Sequence, residues 1–318
     1  VQDAARVAGF KFAIVWHDDS IARIGNCANF SGPMRKASLP TLLLMLAMAL
    51  LARGADSPTA EIPFQFHDGF ILIQGRQAQS AEPMNFLLDS GAGASVLDLR
   101  SAKKLHMPLG KPMEVRGVES KSTAYQIPPI QATDGNARIA TISLAVDLAK
   151  AQEICSEPVD GLIGVDFFSH RIVQIDFASH VIRFPAKADA AGTQTLPLRF
   201  RNGTLCVPIS VNGSHPRWTR FDTGCNDALH WVIPRIRKTG PAQGVSIGFL
   251  TDARDQTLTS VRLGNQSLEL VETTLHGQEL FRGEAGLLGN GILSRFTVTV
   301  DTGHRRILLE PADAQASR

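Results

Sequence analysis

The sequence has a single tyrosine, only four cysteines, and no apolar run long enough to cross a bilayer comfortably. Its formal net charge is +2 over 318 residues, so bulk charge points to no nucleic-acid or membrane-surface partner. The nine histidines include no H-E-x-x-H pair, and the cysteine spacings match no zinc pattern, so neither a metal nor an organic cofactor is expected. What is present is ordinary globular material. A hydrophobic fraction of 44% excludes a disordered or collagen-like chain and suits one or two domains with real cores.

The N-terminal region reads as a leader. Met34-Arg35-Lys36 precedes the apolar stretch Leu39–Ala52, and Ala52-Arg53-Gly54 offers small residues for cleavage, so 34–54 reads as a secretory signal peptide. Residues 1–33 carry no clear periodicity and read as an upstream extension. The first 54 residues hold six basic and three acidic side chains, so the rest of the chain turns slightly acidic. An exported, periplasmic or secreted protein is expected, with no stable membrane span after cleavage. Cys155, Cys206 and Cys225 would then remain. An odd number leaves at least one thiol outside any disulfide, and the sequence assigns no pairing.

The rest of the chain repeats itself. Residues 62–74, IPFQFHDGFILIQ, lie over 196–208, LPLRFRNGTLCVP, without a gap. Each reads as strand, Asp-Gly or Asn-Gly turn, and returning strand. A third strand follows and runs into an aspartate, MNFLLDSG over 84–91 and WTRFDTG over 218–224. The register returns where 161–177, GLIGVDFFSHRIVQIDF, lies over 286–302, GLLGNGILSRFTVTVDT. Strands and loops with little helix fill the intervals, and VRLGNQSLELV (261–271) alternates like one half-buried strand. The Ala/Gly/Thr-rich 186–195 is the join. Two ungapped blocks in the same order make a tandem duplication of a mostly-β unit.

Asp89 and Asp222 are the chemical anomaly. A carboxylate between apolar runs is costly unless it is hydrogen-bonded or does chemistry. Asp-Ser-Gly at 89–91 and Asp-Thr-Gly at 222–224 end the third strand of each copy, and each precedes an apolar-apolar-Gly stretch. This arrangement resembles the pepsin/retropepsin clan of aspartic peptidases, and the likeness spans both copies. It implies an all-β fold of two retropepsin-like barrel lobes, over 55–188 and 189–312 with 313–318 as a tail, and a cleft between them. It also implies an aspartic endopeptidase acting on peptide or protein substrates as a monomer, since one chain supplies both carboxylates. Asp89 and Asp222 would be catalytic and share one proton. Ser90 and Thr223 would hold the two turns together across the lobes. Gly91 and Gly224 would permit close approach, and Gly164 and Gly289 would pack behind the catalytic loops. LIGVDFF and LLGNGIL resemble the short helix that follows the second motif in retroviral enzymes.

A flap is implied over 115–126, bending at Gly117, with Tyr125 either an ordinary half-buried strand residue or a substrate contact. The equivalent region of the second copy begins near 239–249, and the sequence is compatible with one flap or with two. The second motif departs from the clan at Cys225 and Asn226. Cys225 reads as a small buried hydrophobe, and Asp227 either raises the dyad's pKa or caps the turn. A third tripeptide, Asp301-Thr302-Gly303, follows its apolar-apolar-Gly stretch and reads as a hairpin turn. The alternatives are a catalytically weak or inactive peptide-binding protein of the same fold and, less favoured, a serine hydrolase using Ser246 in Gly-x-Ser-x-Gly. That elbow needs a following helix, and here a strand pattern follows.

Overall fold

The computed structural model describes residues 61–77, 82–116, 121–135, 137–233 and 256–312, all within one compact unit. The expected leader, the tail, Gly117, and 234–255 with Ser246 and any second flap lie outside the described residues.

The fold is all-β, with three short α-helices and one 3₁₀ turn among the described residues. The first copy runs β1 (Glu61–His67), β2 (Phe70–Gln77), β3 (Met84–Leu88), β4 (Val96–Asp98), α1 (Leu99–Lys104), β5 (Pro112–Arg116), β6 (Lys121–Asp134) and β7 (Ala137–Val146). It continues with α2 (Ala149–Ile154), β8 (Gly161–Ile163), the 3₁₀ turn Val165–Phe168, β9 (Ile172–Asp176) and β10 (Val181–Arg183). The second runs β11 (Gln194–Pro197), β12 (Arg199–Arg201), β13 (Thr204–Val211), β14 (Arg217–Phe221), β15 (Leu229–Val232), β16 (Gln256–Leu263) and β17 (Gln266–His276). It ends with β18 (Gly286–Leu288), α3 (Asn290–Leu293), β19 (Phe296–Asp301) and β20 (Arg306–Pro311).

The copies are threaded alike. Strand β3 runs parallel to β8 with Leu87 opposite Leu162, and β14 runs parallel to β18 with Arg220 opposite Leu287. Strand β4 then pairs antiparallel with β8 and parallel with β7, as β15 does with β18 and β17. These central strands are buried on both faces, which is why MNFLL and GLLG read as near-continuous apolar runs rather than alternating ones.

A shared sheet joins the halves. Its strand order is β11-β20-β19-β9-β10-β1, three strands from each copy, with Ile175 of β9 opposite Val298 of β19. Every residue of β19 is buried, consistent with a strand between neighbours on both sides. Strand β1 serves this bridge with Glu61–Pro63 and its own lobe with Phe64–His67. Its counterpart is broken at Leu198 into β11 and β12, and the Leu198 amide donates to the Arg305 carbonyl at 2.8 Å.

One strand expectation is corrected. VRLGNQSLELV is a hairpin rather than a strand, with Leu263 opposite Gln266 and a turn at Gly264-Asn265. Gly264 sits at φ +61°, as the first central position of a II′ turn requires, and this turn chemistry overrides the alternation. Asp301 lies in the β19–β20 hairpin opposite Arg306, and its carboxylate accepts from the His304 amide and the Arg306 guanidinium. Cys155, Cys206 and Cys225 are buried free thiols.

Candidate active site

Each central strand delivers its aspartate by the same backbone bond. The Asp89 amide donates to the Ile163 carbonyl at 2.8 Å, and the Asp222 amide to Leu288 at 3.0 Å. Each turn then folds back on its own carboxylate. The Ala92 amide donates to Asp89 Oδ1 and the Gly224 amide to Asp222 Oδ1, both at 3.0 Å.

The turns clasp each other reciprocally. Ser90 Oγ donates to the Phe221 carbonyl at 2.8 Å and accepts from the Thr223 amide at 3.0 Å. Thr223 Oγ1 donates to the Leu88 carbonyl and accepts from the Ser90 amide, both at 2.9 Å. Neither hydroxyl has solvent access, so losing either strands a buried carbonyl and a buried amide. The clasp brings Gly91 against the carboxyl of Asp222 and Gly224 against that of Asp89.

Asp89 and Asp222 are each 1% exposed, and Asp89 Oδ2 has no hydrogen-bond partner among the described residues. Burial, and then the charge of Asp89, push the Asp222 carboxyl up to about 8, with Arg220 opposing. Burial also raises Asp89, against the Ala92 amide, the Asp222 carboxyl and Arg220. Two facing buried carboxyls therefore keep a proton at a pH where isolated aspartates have lost theirs. A raised folded-state pKa means stability present at low pH and lost as pH climbs from about 4 towards 8. Asp222→Asn should thus melt higher than the parent at pH 8, by several degrees, with the gain vanishing by pH 4. Calorimetry of both proteins across that range checks it; a gap independent of pH would contradict it.

Gly164 lies against the backbone of Ala94 in the first turn's loop, and Gly289 against the carbonyls of Cys225 and Asp227 in the second's. The short helical turns at 165–168 and 290–293 follow directly. Asn290, fully buried, donates through Nδ2 to the Thr223 carbonyl at 2.7 Å and to Gly69 of the first lobe at 2.8 Å. Asn226 also reaches across, to the Asp68 carbonyl at 3.2 Å. Asp227 turns away to His230, which contacts it at 2.9 Å and His276 at 3.0 Å. The His230 bond lowers Asp227, while burial beside His230 pushes His276 down to about 4. Asp227 is thus paired with a core histidine, and Cys225 is a buried thiol with a strongly raised pKa.

The candidate flap is the β5–β6 hairpin at a sheet edge, with Arg116 opposite Lys121 and its tip outside the described residues. Tyr125 is half-buried on β6, opposite Pro112 on one side and Ala145 on the other.

Sequence reasoning passed over Arg220 and Glu284. Arg220 is 3% exposed, and its Nη1 donates to the Gly91 carbonyl at 2.9 Å while Nε and Nη2 fork onto Glu284. A signal existed. The repeat sets Arg220 over Leu87, and a charge where the other copy has leucine marks a departure. Among the described residues no group of three or more His, Cys, Asp or Glu could hold a metal ion.

No family model matches the sequence, and no curated protein matches it. Among solved structures the chain is similar to the aspartic proteinase from Irpex lacteus, at a TM-score of 0.51 and 13% identity, covering 80% of this chain and 97% of that one. At that identity the likeness establishes the fold: this is an aspartic-proteinase-like all-β architecture.

Proposed function

We propose that the chain is an aspartic-type endopeptidase, hydrolysing peptide bonds with water activated between Asp89 and Asp222. The observation that carries this is two buried carboxyls from matched positions in two lobes, held face to face by the reciprocal Ser90–Thr223 bonds. The ionised carboxylate would take a proton from water as its oxygen bonds the scissile carbonyl carbon. The protonated one would donate to the carbonyl oxygen. Proton transfer to the amide nitrogen then lets the C–N bond break, leaving an acid and an amine with the shared proton restored. Gly91, Gly224, Gly164 and Gly289 serve by leaving room for this packing, and the 115–126 segment is the proposed cover of the cleft. Because one chain supplies both carboxyls, a monomer suffices. The leader-like 34–54 supports export.

The test is cleavage of a mixed peptide library by the purified chain between pH 3 and 8, followed by mass spectrometry. Cleavage blocked by a statine-type transition-state analogue is the expected result. Uncut peptides at every pH, with the analogue unbound, would sink the reading.

A further inference from the structure

We propose that Arg220 is a positioning residue of the dyad: braced by Glu284 in its own lobe, its guanidinium holds the Gly91 carbonyl of the other lobe and fixes a positive charge behind both carboxyls. This deepens the peptidase reading and, as a role in that reaction, rests on it.

The pair is expensive. Arg220 and Glu284 are both nearly inaccessible, and burying two charges offsets much of their attraction. The lobe's architecture does not need them. At the same positions the first lobe has Leu87 and Val159, apolar and equally buried, and their backbone surroundings match. The Asp160 amide donates to the Asn85 carbonyl there, as the Ala285 amide donates to Trp218 here. A charge pair present in only one of two equivalent lobes is therefore doing something the fold alone does not ask for.

Its geometry says what. One edge of the guanidinium, Nε and Nη2, is taken by Glu284, at 2.8 and 3.0 Å, and its face lies over the Phe281 ring. Glu284 is held in turn by Asn202. Among the described residues the remaining Nη1 has one partner, the Gly91 carbonyl at 2.9 Å, in the turn that presses on Asp222. A forked guanidinium is rigid where a lysine would not be. The charged and titratable groups that face the two carboxyls from their surroundings are Arg220 and the neutral Cys225 thiol, with Glu284 on the far edge of the fork. Arg220 lowers the proton affinity of both carboxyls and so counters burial.

The test reads the carboxyls directly rather than activity. Aspartate ¹³Cγ resonances of the full chain are titrated by NMR, with the dyad signals assigned by their loss in Asp89→Asn and Asp222→Asn. Copying the first lobe's apolar pair, Arg220→Leu with Glu284→Val, should raise the dyad midpoints by about one unit. Glu284→Gln alone, which leaves the cation less compensated, should lower them. Arg220→Lys should leave them near the parent while reducing kcat more than KM changes. Opposite shifts in the first two variants are the signature that a merely structural ion pair would not give. Midpoints unmoved in both, or moved in the same direction, overturn the proposal. If the apolar pair fails to fold, Glu284→Gln decides by its sign alone. Should the parent cleave nothing, the peptidase reading falls, while the titration still reports whether Arg220 acts on the carboxyls.

Discussion

On the proposed peptidase reading, Asp89→Asn and Asp222→Asn should each reduce kcat/KM for peptide cleavage by at least roughly 10³-fold, the scale of a lost general acid–base group. The double variant loses little more than either alone, because the two carboxyls act as one unit and the effects of such groups do not add. Asparagine is the right replacement. Its carbonyl oxygen can still accept the Ala92 amide at position 89 or the Gly224 amide at 222, so both turns keep their shape. The Ser90–Thr223 clasp involves neither carboxyl and stays intact. The chemistry should therefore disappear without the fold, with melting at pH 5 within a few degrees of the parent. Steady-state kinetics on one cleaved peptide, beside thermal unfolding, makes the measurement. Undiminished turnover in either variant would place the reaction elsewhere in the molecule.

How much of this was legible beforehand follows from what each residue does locally. The two aspartates could be found because duplication supplies an internal control: Asp89 and Asp222 align, whereas Asp301 aligns with Asp176 and lies in a hairpin turn. The hairpin and third strand leading to each aspartate were legible for the same reason, since both copies keep their turns and apolar runs. Alternation misled at 261–271, where Val261 and Leu263 keep a period of two before the turn and Leu268 and Leu270 keep it after, but in the opposite phase; that switch and Gly264-Asn265 together mark the reversal, since Val261 pairs with Leu268. The bridging sheet was not legible. Ile175 meets Val298 across 123 residues of chain, and no local pattern tells an apolar strand which partner it will find. Arg220 escaped because a single arginine in WTRF reads as an edge or solvent position until the buried Glu284 is seen beside it.

Gly91→Ala and Gly224→Ala should each destabilise the protein and abolish the proposed peptide cleavage, although each adds only one methyl group. A Cβ at Gly91 would collide with Asp222 Oδ2 and lie 2.5 Å from its Cγ. One at Gly224 would lie 2.5 Å from Asp89 Cγ and 2.6 Å from its Oδ1. Carbon and oxygen in van der Waals contact need well over 3 Å, so something must move. The carboxyls cannot simply swing aside, since each is buried and held by its own turn's amide. The alternative is separation of the two turns, which loosens the four bonds of the clasp. Overpacking of this kind costs about 1–3 kcal/mol, and every clasp bond lost adds about 1. That corresponds to a fall in melting temperature of roughly 5 °C or more for a chain of this size. Turnover should fall by at least about 10²-fold, because a displacement of 1 Å at the reacting groups is enough to do so. Gly93→Ala is the control within the same loop. A Cβ there meets nothing within 4 Å, so activity and melting should match the parent. Gly91→Ala as active as Gly93→Ala would mean that the opposing carboxyl is not where the clasp puts it, and the shared-proton chemistry would go with it.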